Sequence, residues 1–329
     1  MINPYLPKLA ILSFSIISEL SFGQQSLPKA EAFLPDIISR FPNVRDLAIS
    51  PTEDEAYFTA QSFLGELSAL VCIKKENGKW SNPEVASFSG KQQDLEPFFA
   101  PDGLRLYFVS NRALDSMINV PKDYDIWFVK RKDFKSKWSD PINIGAPVNT
   151  KDNEFYPAVS KSNTLYFTSD GAISKGKDDI FASKWINGKY ELPHSLGDSV
   201  NTPGFEFNAF IAPDESYLLF TGYDRKDGLG SGDIYISYNK GNDQWSTSQN
   251  IGPEINSPQM DYCPFVNVKS GILYFTSKRS SVNIKLEKKQ NITEILKEIT
   301  KYDNGQSRLY QVKFNSELAR PETKNQLKK

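Results

Sequence analysis

The chain has 329 residues, room for one large β domain or two ordinary ones. With 39% hydrophobic and 24% charged residues it has the composition of a globular protein with a polar surface, and no apolar run after the first twenty residues is long enough to cross a bilayer. The net charge of −1 is unevenly spread: from Lys278 to the end there are thirteen Lys/Arg and six Asp/Glu, which leaves about −8 on the rest. A basic end can dock on an acidic body or meet an anionic surface. No basic run carries interleaved aromatics, which excludes nucleic acid as the expected partner.

The first stretch reads as an export signal. Lys8 precedes a short apolar run from Leu9 to Ile17, and Ser21-Phe22-Gly23 puts small residues at −3 and −1 of a cleavage point after Gly23. Glu19 interrupts this pattern, and a buried N-terminal helix is the competing reading. No Cys follows the cleavage point, so a lipid-anchored end is not expected.

Beyond residue 40 the chain repeats. An apolar-aromatic couplet ending in Phe recurs at Tyr57-Phe58, Tyr107-Phe108, Tyr166-Phe167, Leu219-Phe220 and Tyr274-Phe275, at Phe-to-Phe intervals of 50, 59, 53 and 55 residues. A period near fifty on β-forming residues means one supersecondary unit used repeatedly. Each unit supplies four short segments. The first leads into a turn, clearest in Pro101-Asp102-Gly103, where Pro presets φ, Asp bonds its own backbone and Gly accepts a left-handed angle. The couplet strand follows, then a strand opening on Asp125, Asp179 or Asp233. A fourth segment is expected to open on Trp80, Trp138, Tyr190 or Trp245.

Four strands per unit, separated by Gly/Pro/Asn/Asp turns and with no helical period inside the repeat, predict an all-β fold: a five-bladed β-propeller of four-stranded antiparallel blades. The blade units fall at about 44–90, 91–146, 147–198, 199–253 and 254–315, with a polar basic tail over 316–329. Unit five lacks its own fourth strand, and residues 33–38 are expected to supply it, closing the ring and covering the exposed edges. The Pro101-Asp102-Gly103 turn, the Tyr107-Phe108-Val109-Ser110-Asn111-Arg112 strand and Asp125-Ile126-Trp127 resemble the WD40-like propeller repeats of the TolB type, over roughly residues 40–315. Lys161-Ser162-Asn163 and Lys269-Ser270-Gly271 depart from the turn motif, and TolB itself has six blades. The resemblance implies a propeller, and as one possible role assembly of the cell envelope.

One insertion breaks the repeat. Between Phe275 and Tyr310 lie Ile292, Ile295, Leu296, Ile299 and Tyr302 at helical spacing, predicting an amphipathic helix over roughly 292–302. Its apolar stripe is expected to cover the blade, with docking of a partner as the alternative.

Chemistry is sparsely signposted. Asp94, Glu154, Glu206 and Asp261 stand just before the first strands of successive units and are expected to crown one mouth of the central channel, as a binding set for a cation, a basic peptide or sugar hydroxyls. The competing reading has each satisfy backbone N–H groups at its own strand entrance. Asp125, Asp179 and Asp233 are expected to bond the preceding turn or to pair with Arg112 and Arg225, and Arg45, Arg112, Arg225 and Arg279 to face a loop rim. His194 is the only histidine, so neither a His-based metal site nor a Ser-His-Asp triad is expected, and Cys72 and Cys263 are read as free thiols. No phosphate-cradling Gly-rich loop opens a helix, and Gly228-Leu229-Gly230-Ser231-Gly232 reads as a flexible connection.

The expected function is an exported, monomeric, non-catalytic binding or scaffolding propeller with no cofactor and no catalytic residue. Its partner would be a protein or glycan of the cell envelope, met at the channel mouth and rim loops. A glycoside hydrolase using two of the four carboxylates is the enzymatic alternative, and a TolB-like envelope-assembly partner is another.

Overall fold

The structure is a computed structural model that describes residues 29–115, 121–285 and 287–319. The expected signal at 1–23 lies outside the described residues, as do residues 320–329 of the basic tail. Five antiparallel sheets surround one axis. Their innermost strands are Asn43–Ile49, Asp94–Phe99, Glu154–Val159, Phe205–Ile211 and Asp261–Asn267. The couplets lie in the second strands, Glu55–Gln61, Arg105–Ser110, Leu165–Ser169, Tyr217–Tyr223 and Ile272–Ser277. Ser68–Glu76, Asp125–Lys130, Asp179–Ser183, Gly232–Gly241 and Arg308–Lys313 follow as third strands. Short outer strands complete the blades at Glu84–Val85, Ile142–Asn143, His194–Ser195, Gln249–Asn250 and, for blade 5, Glu31–Ala32. The chain is therefore the expected five-bladed propeller.

The closing segment is shifted from where its sequence suggests. Glu31 pairs with Gln311 and Ala32 with Tyr310, and the Phe33 N–H donates to the Leu309 carbonyl at 2.9 Å. Residues 33–38 are not the strand: Pro35–Ile38 is a helical turn that carries the chain towards blade 1. Pro35 at its first position needs no N–H partner and has φ preset for a helix. Phe33 plugs the seam, 5% exposed, with its ring edge-on to Tyr274 at 5.2 Å.

The two residues of each couplet do different work because successive side chains on a strand face opposite ways. The five Phe rings are all within 1% of full burial. The Tyr side meets the following blade. Trp138 of blade 2 donates its Nε1–H to the Tyr57 hydroxyl at 2.8 Å, Tyr190 of blade 3 meets the Tyr107 hydroxyl at 3.3 Å, and Trp245 of blade 4 lies edge-on to Tyr166 at 6.2 Å. These aromatics do not open the fourth strands as expected. Trp80, Tyr190 and Trp245 lie in two-residue hairpin extensions of the chain at Lys79–Trp80, Lys189–Tyr190 and Gln244–Trp245, ahead of the outer strands. The side chain is thereby free to reach back to its neighbour; each buried ring contributes about 1.5–3 kcal/mol.

Two further readings are corrected. Gly230 is no flexible connector: a Cβ there would sit 1.9 Å from the Gln259 carbonyl oxygen, because this loop presses on the entry to blade 5. Gly176 repeats the arrangement one blade earlier, 2.2 Å from the Gly204 oxygen. The insertion forms a helix only over Ile292–Ile299, started by an Asn291–Glu294 capping box. Its apolar stripe does not lie on the blade, since Ile292, Leu296 and Ile299 are exposed. Tyr302 leaves the helix instead, and its hydroxyl donates to the Leu309 carbonyl at 2.5 Å and the Phe33 carbonyl at 3.2 Å.

Phe33→Ala is expected to cost about 3–5 kcal/mol in chemical denaturation, the usual cost of truncating a buried Phe; a loss below about 1 kcal/mol would mean that the seam closes without it. Gly230→Ala is expected to destabilise by about 1–3 kcal/mol through backbone overpacking, and unchanged melting would show that the loop yields freely.

Candidate functional site

Three of the four acids and three of the four arginines predicted from sequence turn out to be each other's partners. Asp94 accepts from Arg112 Nη2 at 2.5 Å and Ser89 Oγ at 2.7 Å. Glu206 accepts from Arg225 Nη2 at 2.8 Å and from the Thr202 N–H and hydroxyl at 2.6 and 2.7 Å. Asp261 repeats this with Arg279 at 2.8 Å and the Ser257 N–H and hydroxyl at 2.5 and 2.7 Å. In each case the guanidinium lies over the couplet Phe and a third-strand aromatic: Phe108 and Trp127, Phe220 and Tyr235, Phe275 and Tyr310. It also donates to a carbonyl of the loop entering that blade, Phe88, Val200 or Ile255. The unit clamps a blade's second strand to its own entry loop. All four carboxylates are fully buried, and the three arginines are turned inwards rather than lining a solvated rim.

Asp179 and Asp233 bond the preceding turn, through the N–H groups of Lys175 and Gly176 and of Leu229 and Gly230. Asp125 takes Lys122 Nζ at 2.6 Å and Asn143 at 2.7 Å, and Arg112 and Arg225 pair with none of these three.

Blade 3 departs from the clamp. Glu154 is held by the Thr150 N–H and hydroxyl, at 3.0 and 2.6 Å, but Gly171 stands where Arg112 and Arg279 stand in their blades. Burial pushes the Glu154 carboxyl up to about 7 against those hydrogen bonds, with Asp125 and Asp123 raising it further.

The axis is organised by residues that sequence reasoning passed over. Each first strand carries a β-bulge, and the bulged residue has positive φ: Asp46 at 56°, Glu96 at 60°, Tyr156 at 48°, Asn208 at 56° and Cys263 at 53°. None is glycine, so each stores strain on the order of 1–3 kcal/mol that the surrounding ring must hold. Arg45 reaches into this ring instead of a rim. Its Nε–H bonds Asp46 at 2.9 Å, its Nη2 bonds Glu96 at 2.7 Å and approaches Cys263 Sγ at 3.6 Å, and it lies over the Tyr262 ring at 5.4 Å. Glu96 also accepts the Tyr156 N–H at 2.7 Å. Burial pushes the Glu96 carboxyl up to about 8 against the pull of Arg45, with Asp46 adding to the rise, and burial likewise raises the Cys263 thiol.

Chemically, this is a plug. Asp46 and Glu96 are 1% and 4% exposed, with one guanidinium between them. Two strand positions below the bulge, Phe98, Phe210 and Phe265 from three blades meet with centroids 5.8–6.5 Å apart. Among the described residues, no cluster of His, Cys, Asp and Glu is arranged to hold a metal ion. Cys72 and Cys263 are free thiols, Cys72 only half-buried.

Open surface lies elsewhere. Each blade's connection from second to third strand emerges on the face where the next first strand begins. Those connections carry Phe63, Leu64 and Leu67, Leu114, Ile173, Leu229 and Ile284, all between 48% and 86% exposed. A cleft of about 420 Å³ opens on this face between blades 4 and 5, lined by Lys29, Leu229, Pro253, Glu254, Ser257 and Arg279. The signal that could have found these positions was the loop phase of the repeat, not any residue type.

No protein-family model matches the chain, and no curated protein matches it. Solved structures do. A GH62 hydrolase crystallised in complex with xylotriose is 12% identical, with 86% of this chain and 96% of that one covered and a TM-score of 0.50. The α-L-arabinofuranosidase from Lactobacillus brevis gives 13%, 85%, 95% and 0.48 on the same measures. TolB from Acinetobacter baumannii is 12% identical over 88% of this chain at a TM-score of 0.45, and the match spans 64% of its own length. At these identities the likeness concerns the fold alone. Among the described residues no helix is long and apolar enough to cross a membrane.

The buried Glu154 sets a pH dependence. Its folded pKa is raised from 4.5 to about 7, so over that window the folded chain keeps a proton that the unfolded chain has lost, and stability falls as pH rises. Thermal melts across the window are expected to show this decline. Glu154→Gln should reduce it to the part due to Glu96, Asp178 and Asp233, the other raised carboxyls. An unchanged slope in the variant would show that Glu154 is ionised in the fold.

Proposed function

We propose that the protein is an exported, non-catalytic docking propeller that binds a protein of the cell envelope on the face bearing the second-to-third-strand connections. One observation carries this reading: those connections hold apolar side chains out to solvent on one face, with Phe63, Leu64 and Leu67 crowded on a single loop. Contiguous exposed apolar surface on a soluble body marks an interaction site far more often than it serves stability. The second support is the state of the axis. Hydrolysis of a glycoside needs two carboxyl groups with a sugar between them. Asp46 and Glu96 have Arg45 between them and are closed to solvent, and Asp94, Glu154, Glu206 and Asp261 spend their oxygens on strand entrances.

The hydrolase alternative draws on the GH62 likeness, which is one of fold, and on the Asp46–Glu96 pair facing each other across blades 1 and 2. A photo-crosslinking residue at position 64 of the mature chain is expected to give a discrete adduct with one envelope protein, and the same probe at Val85, exposed on the outer edge, to give none. Equal adducts at both positions would overturn the docking reading. So would turnover of any substrate in a glycan panel that disappears with Glu96→Gln.

A further inference from the structure

We infer that the insertion in blade 5, together with the adjoining loop of blade 1, seats the propeller on an anionic lipid surface. This rests on the reading that the face of the second-to-third-strand connections is the binding face.

The helix Ile292–Ile299 is fixed at its start by reciprocal Asn291–Glu294 hydrogen bonds of 2.9 Å, yet none of its residues is buried. Its apolar positions Ile292, Leu296 and Ile299 form one stripe at the spacing of a helix face, and that stripe is solvent-exposed. Ile284, 86% exposed, adds to it from the preceding loop. A well-capped short helix with its apolar side outward has no role in the core of the blade.

The charges around the stripe are sorted. Both helix acids are committed locally: Glu294 to the cap, and Glu298 to the Asn283 N–H at 2.7 Å and Lys301 Nζ at 2.6 Å. Lys285, Lys288, Lys289 and Lys297 are exposed and form no salt bridge among the described residues. What this segment shows to solvent is therefore aliphatic residues fringed by four lysine ammonium groups and one carboxylate, Glu287. Aliphatic side chains enter the acyl boundary while lysines stay at the headgroups, which is how an interfacial helix binds. Residues 278–319 hold nine Lys/Arg against five Asp/Glu, while residues 1–277 carry about −8, so an anionic membrane is attracted to this sector more than to the others.

The neighbouring loop enlarges the footprint. Asn43 at the start of blade 1 donates to the Ser62 and Phe63 carbonyls at 3.2 Å and accepts from the Ser307 N–H at 3.1 Å. One side chain thus ties the loop of Phe63, Leu64 and Leu67 to the end of the insertion. Both apolar tips belong to second-to-third-strand connections, which open on the same face.

The test is co-sedimentation of the mature chain with vesicles of phosphatidylcholine alone and of phosphatidylcholine mixed with phosphatidylglycerol, at low and high salt. Binding is expected only to the mixed vesicles, weakening with salt. Lys288→Gln/Lys289→Gln should weaken it about thirtyfold, and Leu296→Ser with Ile292→Ser should abolish it. These exposed positions leave the melting temperature unchanged, which separates lost docking from lost folding. No binding to mixed vesicles, equal binding to neutral ones, or binding unaffected by either variant would overturn the inference. So would a lipid-free dimer, or lipid-free capture of a protein, that the Leu296→Ser variant destroys; the captured protein would leave the docking reading standing. Vesicle binding without any protein adduct at position 64 would uphold the inference and end the reading of the partner as a protein.

Discussion

Unpaired backbone at a sheet edge is the constraint on which this ring depends. Blade 5 has only three strands of its own, so the row of groups along Arg308–Lys313 would stand open. Residues 31–33 cover that row, and the Tyr302 hydroxyl bonds both the Leu309 and Phe33 carbonyls behind it. Arg308 then reaches the Pro42 carbonyl at 2.7 Å, so the start of blade 1 is tied in at the same place. The one insertion grows out of this seam.

Charge in this protein is largely consumed by architecture. Three blades repeat a buried carboxylate–arginine clamp under aromatic rings, and removing one partner of such a pair typically costs about 3–5 kcal/mol because the other is left buried and uncompensated. The two departures are instructive. Blade 1 has Val44 at the acidic position and sends its neighbour Arg45 into the axis, where it meets two carboxylates from adjacent blades. Blade 3 keeps the acid without the arginine, and burial raises its carboxyl instead. With the axis plugged by ions at one level and phenyl rings at the next, the centre of the propeller is filled by its own side chains.

The bulge ring shows how a regular backbone can carry an irregular chemistry. All five first strands bend at the same step, yet the residues there are Asp, Glu, Tyr, Asn and Cys. Strain at a repeated position is tolerable only because the neighbours on every side are fixed: Thr59 and Thr276 hydroxyls receive the Glu96 and Asp46 N–H groups at 3.0 and 3.3 Å. Those hydroxyls come from the second strands of the preceding blades, so the axis and the blade packing stabilise one another.

What the amino-acid sequence determined by itself was everything set by neighbours along the chain. The couplet period, the Pro101-Asp102-Gly103 turn and the Asn291 cap with Glu294 three residues on all act within a few residues, and from them came the blade count, the strand order and the helix. The tertiary structure alone decided which charges meet and which faces stay open. Arg45 and Cys263 are 218 positions apart and touch only because the ring closes. Arg112 meets Asp94 and not the nearer Asp125, although Ser110 stands opposite both in the sheet, a choice no local pattern encodes. The direction of the helix stripe was likewise undetermined, since an amphipathic pattern states that a helix has two faces and leaves to the rest of the molecule which of them meets water.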